Sequence, residues 1–306
     1  MIITFLNQKV YCWNKFLNSY SKTNLFTNYL SIFRIYISFH IIKSAYLTWN
    51  LISLFDRESA YITYSFPKII YPIIEFLVNF KIFDKPLYIY LLIIFSINLF
   101  FGFLKNFNFV FLFILFKIHM VFNLEISNGG FNYMSVILFF MCFTNSWRNF
   151  AVVEYKETRI TNLLSNYSVY SIMIQLCMIY LVSGLNKIHA DVWFNGSATY
   201  YILNTIPYCS PIMQFVKNNV IFIIISTYFT LFFEIFFCIL IWIKKIRPIM
   251  ILSGILLHLS IYFTMMLYDF QILFIFIYGF FIADFFWEKK IQGLKKLSIY
   301  KNFIHK

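Results

Sequence analysis

Residues 175–201 read QLCMIYLVSGLNKIHADVWFNGSATYY, and this stretch decides what kind of protein the chain is. It starts as an apolar helix able to enter a membrane. It then reaches Lys187, and after it a compact group of polar and aromatic side chains, His189, Asp191, Trp193, Asn195 and Ser197. On a continuous helix Tyr180, Ser183, Gly184 and Lys187 share one face, because residues three and four apart stack along the axis. An amine then stands beside the notch that glycine leaves. A lysine near the bilayer centre costs roughly 2.5 to 3.5 kcal/mol on insertion scales, and less near the interface. Two readings follow. Lys187 either snorkels at a helix end and pairs with Asp191 one turn on, or serves as a proton-transferring amine.

The bulk composition agrees with a membrane setting. Of 306 residues 61% are hydrophobic and only 12% charged, with a mean hydropathy of +0.75. Soluble globular domains lie far from these values. The formal charge of +13 does not indicate nucleic acid, since the lysines are spread over loops and tails between apolar segments; attraction to anionic lipid explains them more simply. Five cysteines form no CxxC pair, and no histidine has HExxH spacing, so neither a disulfide framework nor a metal site is expected. No cleavable signal peptide is evident, and the first span is expected to act as an uncleaved anchor.

Judged by apolar length against a hydrocarbon core of roughly 30 Å, the expected spans are 28–48, 86–104, 107–122, 132–146, 168–187, 219–243, 248–268 and 270–288. The fold class is therefore an all-α integral membrane protein, a bundle of about eight transmembrane helices. A basic head (1–27) precedes the transmembrane domain (28–288) and a basic tail (289–306) follows it. Sixteen of the 25 Lys and Arg residues fall in the segments on one side of this arrangement and five on the other. The positive-inside rule then puts both termini in the cytoplasm, the chain in the cytoplasmic membrane, and the Lys187 end on the extracytoplasmic face. Residues 61–83, broken by Pro67 and Pro72, and 190–218, broken by Pro207 and Pro211, read as interfacial or re-entrant helices on that face.

Polar residues inside the spans need partners. Arg34 either snorkels or forms a structural ion pair with Glu234, because an isolated carboxylate in hydrocarbon is costly. His258, in GILLHLSIYFTMM, either bonds across helices or binds a polar group of a ligand. Asn128, Gly129 and Gly130 join two apolar segments, as a plain turn or as a place of close chain approach.

Taken together these pieces resemble the vitamin K-dependent gamma-carboxylase-related superfamily, in particular its bacterial branch, the horizontally transferred transmembrane (HTTM) domain. The resemblance lies in Phe33, Arg34 and Ile35, in NGGFNYMSVILFF from Asn128, in the stretch from Gln175 through SGLNKIHADVWFNGSATYY, and in Glu234 followed by RPIMILSGILLHLSIYFTMM. It implies an eight-helix bundle. It also implies that Lys187 handles the proton of a reduced, vitamin K-like quinone, with His258 facing the same cavity as a second catalytic residue. Gln175, Tyr180, Gly184, His189, Asp191, Trp193, Asn128 and Gly130 would then line a substrate or quinone pocket. Three departures accompany the resemblance: Val192 is inserted between Asp191 and Trp193, Gly129 and Gly130 stand where carboxylases carry a histidine, and only about 18 residues follow the last expected span. These favour the bacterial branch over carboxylation of large protein substrates. The implied functions are a carboxylase- or epoxidase-like membrane enzyme, a helper in maturation or export of a small secreted antimicrobial peptide, or a transporter or lipid-binding protein. The partners are the bilayer and, for the first two, a quinone or a secreted peptide; nucleic acid is not among them.

Overall fold

The computed structural model describes residues 20–51, 85–122, 129–205, 211, 215–265, 268–284 and 286–292. Among these residues the chain is helical, with no strand. The helices are α1 (Thr27–Leu51), α2 (Lys85–Phe101), α3 (Asn106–Phe122), α4 (Gly129–Met141), α5 (Arg159–Ile188), α6 (Asp191–Phe194), α7 (Ala198–Asn204), α8 (Val220–Leu240), α9 (Arg247–Met265) and α10 (Tyr268–Ile277), which a 3₁₀ turn (Tyr278–Phe281) extends. The expected segment 61–83, Asn128 and most of 206–214 lie outside the described residues.

Among the described residues three helices, α5, α8 and α9, are long and apolar enough to cross a membrane, and the pair Phe270–Phe281 and Phe286–Gln292, bent by 106°, makes a fourth if counted as one span. Leu87–Phe101, Asn106–Met120 and Gly129–Met141 are apolar but shorter. A 17-residue helix such as α2 rises only about 26 Å, a little under a typical hydrocarbon core. Helix α1 has the length, at 25 residues, but it carries Arg34 and Lys43 and buries Asn28, Ser31, Ser38, His40, Ser44 and Thr48. On α8 and α9 large apolar side chains stand exposed, among them Ile225, Ile239, Ile249 and Leu252. In water such a surface would be unfavourable; in lipid it is the solvated face.

The chain divides into two compact units, residues 1–169 with 283–306, and residues 170–282, the boundary falling within α5. In the first unit α1 packs on α2, α2 on α3 and α3 on α4. Arg34 holds this unit together. Neither of the expected partners, solvent or Glu234, takes its guanidinium, which is completely buried. Nη1 donates to Phe100 O at 2.9 Å, Nη2 to Asn149 O at 3.1 Å and Phe150 O at 2.7 Å, and the group lies 5.3 Å from the Trp147 ring. Helix α2 ends here in a glycine cap, with Phe103 N donating to Asn98 O and Gly102, at φ +76°, donating to Leu99 O. The cation therefore sits on carbonyls at a helix C-terminus, where the partial charge is negative and acceptors are free.

The last expected span, 270–288, is interrupted after Phe281, at residues 282–283. Asp284 is engaged elsewhere. Its carboxylate accepts from Asn28 N and Tyr29 N, both at 3.0 Å, and from Asn28 Nδ2 at 2.8 Å, capping the first turn of α1.

Candidate functional site

The second unit contains the stretch that dominated the sequence. The C-terminal half of α5 is helical through Ile188, and Tyr180, Ser183, Gly184 and Lys187 form one stripe along it. That stripe faces α8. A Cβ placed on Gly184 would come within 2.8 Å of Ile235 Cγ1 and 3.2 Å of Glu234 Cβ. Glycine is therefore what lets the two helices approach. The consequence is an ion pair between Lys187 Nζ and Glu234 Oε1, with Nζ also donating to Ser183 Oγ at 3.0 Å.

Above the pair the chain turns back. Helix α6 brings the Trp193 ring to 5.0 Å from Lys187 Nζ, within the range of a cation–π contact. This return is fastened to α8. Tyr228 Oη donates to Phe194 O at 2.9 Å, Thr199 N donates to Thr227 Oγ1 at 3.1 Å, and Ser226 Oγ donates to Thr199 Oγ1 at 3.0 Å. Gly196 has φ +78° and lies flat on Tyr228, so that a Cβ there would meet the ring at 3.0 Å. Asn195 Oδ1 closes the turn by accepting from Ser197 N and Oγ; Ser197 stands at the N-cap of α7 but its hydroxyl does not cap the helix.

Two turns back along α5, Tyr180 belongs to a second polar group. Its hydroxyl bonds both His258 Nε2 and Tyr278 Oη, and His258 Nδ1 bonds Gln271 Oε1. All four side chains are buried, and Phe233, Phe237 and Phe274 pack around Tyr180. An amide oxygen only accepts, so His258 Nδ1 carries the proton and a neutral ring accepts at Nε2. Tyr180 must then donate to His258, and Tyr278 to Tyr180. The chain of donors runs Tyr278, Tyr180, His258, Gln271, in one direction. Gly254 makes room for it, because a Cβ there would fall on the Tyr278 hydroxyl.

Of the side chains expected at the site, Lys187, Tyr180, Gly184, Trp193 and His258 come together in this unit. His258 does so as a hydrogen-bonded core residue. Glu234 joins them as the partner of Lys187; the expected pairing with Arg34 does not form, since the two groups find nearer partners within their own units. Asp191 starts α6 and is exposed, as is His189; the cation of Lys187 goes to Glu234, whose helix lies against the stripe. Gln175 is half-buried on α5, but five residues before Tyr180 it points about 140° away from the stripe. Gly130 is buried in the first turn of α4, in the first unit, and Asn128 is outside the described residues.

Gln271, Tyr278 and Gly254 were not singled out in the sequence. A glutamine inside DFQILFIFIYGFF, and a glycine one turn before His258, were the available signals.

One feature of the ion pair is incomplete. Glu234 is 7% exposed, and its Oε2 has no hydrogen-bond partner among the described residues. A buried carboxylate oxygen left bare costs stability, so it marks a place for a donor. No group of three or more metal-ligating side chains occurs among the described residues. Comparisons with models of known protein families, with curated proteins and with solved structures find no match for the chain.

Proposed function

We propose that this chain is a multi-pass protein of the cytoplasmic membrane, with eight spans and both termini inside, that carries out proton-transfer chemistry on a lipid-soluble or small peptide substrate at the outer leaflet. The observation that carries the reading is the Lys187–Glu234 pair, only partly shielded at 25% and 10% side-chain exposure, under an aromatic ring. An ammonium and a carboxylate at contact distance can exchange a proton, and the exchange removes both charges from a low-dielectric site. Lys187, its proton passed to Glu234, is then a neutral amine able to take a proton from an acidic hydroxyl, becoming ammonium as the substrate becomes an anion.

A reduced quinone fits what the residues offer. The bare Glu234 Oε2 marks room beside the pair for a bound polar group, and Trp193 supplies a face for a ring. When bound, such a group would supply the reducing electrons. The resemblance to the HTTM branch points the same way, toward a carboxylase- or epoxidase-like enzyme acting on a secreted peptide. The reading as a non-catalytic helper in peptide maturation draws on the same ion pair, which also serves as a helix staple. The test is mass spectrometry of lipids and secreted peptides recovered with and without the gene, and with Lys187→Ala at matched expression. An altered peptide mass that needs Lys187 supports the enzyme; a peptide that is exported unchanged but needs the protein supports the helper.

A further inference from the structure

The first unit holds a cavity of about 310 Å³ whose walls include Lys105, Asn106, Phe143, Lys156, Thr158 and Thr161. It lies where apolar helices end. Helix α3 begins at Asn106 and helix α5 directly after Thr158, so the N-termini of a 17-residue and a 30-residue helix both meet the cavity wall. Their partial positive charge adds to that of the two lysines.

The wall is built rather than incidental. Asn106 Nδ2 donates to Cys142 O at 2.7 Å and Thr144 O at 3.0 Å, while its Oδ1 accepts from Trp147 Nε1 at 3.0 Å. Thr158 and Thr161 cap the first turn of α5 reciprocally: Thr158 Oγ1 donates to Thr161 Oγ1 and accepts from Thr161 N, both at 3.1 Å, while Thr161 Oγ1 accepts from Thr158 N at 2.9 Å and donates to Thr158 O at 3.0 Å. Leu104 and Lys105 take φ values of +61° and +48°, an unfavourable state for residues with a side chain. Among the described residues Glu154 is the one acid on the wall, and it is paired with Lys156 at 3.0 Å with both side chains about 70% exposed. Such a pair is weak and opens readily for a stronger anion.

The rim is apolar. Phe143 and Leu164 on the wall are each 43% exposed, and Phe107, beside Asn106, is 73% exposed. A free anion would use the cations and ignore this surface. We propose that the cavity binds the phosphate of an anionic membrane lipid, with Lys105 and Lys156 on the phosphate and the acyl chains running onto Phe143 and Leu164. The charge count also assigns Lys105, Lys156 and Arg159 to the basic, cytoplasmic side, where anionic lipid is concentrated. The assignment does not rest on the Lys187 site.

The test uses the full chain in neutral detergent, with phosphatidylglycerol, phosphatidylcholine or inorganic phosphate added and the melting temperature followed. Phosphatidylglycerol is expected to raise it at micromolar concentration, and the other two to leave it unchanged. Each lysine near a lipid phosphate is worth about fivefold in affinity, so K156Q should weaken the response about fivefold and K105Q/K156Q by more than tenfold. K244Q/K245Q, in the turn between α8 and α9, is expected to keep it. A shift reproduced by inorganic phosphate overturns the lipid assignment. An equal shift with phosphatidylcholine, an unchanged affinity in K156Q, or an equal loss in K244Q/K245Q overturns the site. Because Lys156 lies in an exposed segment, the single variant decides even if the double variant does not fold.

Discussion

Glu234 holds Lys187 across the α5–α8 contact that Gly184 makes possible. Removing one member of a buried pair leaves the other uncompensated, which costs about 3 to 5 kcal/mol when fully buried and less at a site with this exposure. Glu234→Leu and Lys187→Met are each expected to lower stability by about 1 to 3 kcal/mol, and the double variant to recover most of it. A double-mutant cycle scored by thermal unfolding in detergent measures the coupling. Additive losses would exclude the pair.

Gly184 and Gly254 act through space rather than through backbone freedom. Gly184→Ala drives a methyl against Ile235, and overpacking of this kind costs about 1 to 3 kcal/mol. Gly254→Ala strikes the Tyr278 hydroxyl and should break the donor chain to His258 as well. The ring carbons Cζ and Cε2 would also be struck, at 2.6 and 2.8 Å, so relief takes loss of the ring, as in Tyr278→Leu. Gly254→Ala is therefore expected to cost less in a Tyr278→Leu background than in the parent, and equal losses in melting temperature would refute the steric account.

Arg34 serves several acceptors at once, which a point-charge ammonium cannot do. Arg34→Lys is expected to lose about 2 kcal/mol or more, because buried carbonyls of α2 and of residues 149–150 are left bare. Glu234→Gln should not alter that loss. Protein yield and unfolding temperature of the two single variants and their combination check the claim.

Much of the second unit was legible in the sequence. The spacing of Tyr180, Ser183, Gly184 and Lys187 leaves one helical face, and the apolar lengths of α5, α8 and α9 mark crossing helices. The partner of Glu234 was not legible, because opposite sign alone does not choose between Arg34 and Lys187. What chooses is geometry: Gly184 draws α8 to the lysine, while the end of α2 offers Arg34 carbonyls. The break at 282–283 was hidden for a similar reason. Asp284 lies in an apolar run that reads as one helix, and only its bonds to Asn28 and Tyr29 show why the run breaks. His258 was legible as a buried polar group in need of a partner, but its spacing did not show that Tyr180 and Gln271 supply one.

The charge asymmetry predicts the topology. A reporter fused after Lys306 should be active only as a cytoplasmic enzyme, and one inserted beside Asn195 only as an extracytoplasmic one. Asn195 lies in the return that covers Lys187, so the same insertion reports which face the ion pair approaches. Cytoplasmic activity at Asn195 would move the proposed chemistry to the inner leaflet.

The proton-transfer reading depends on Lys187 more than on any other residue. Lys187→Ala should abolish function; Lys187→Arg should keep the charge, and with it much of the contact to Glu234, so that protein level stays near the parent's. Yet guanidinium does not give up its proton near neutral pH, so arginine cannot become the neutral base that the chemistry needs. Function should therefore be lost in both variants although only alanine removes the ion pair. A staple gives the opposite pattern, since arginine bonds a carboxylate at least as well as lysine does. The measurement is the peptide or lipid change seen on deletion of the gene, scored at matched expression for Lys187→Ala, Lys187→Arg and Glu234→Gln. Full activity in Lys187→Arg would remove the base and leave Lys187 and Glu234 as a helix staple, and the helper reading would then lead.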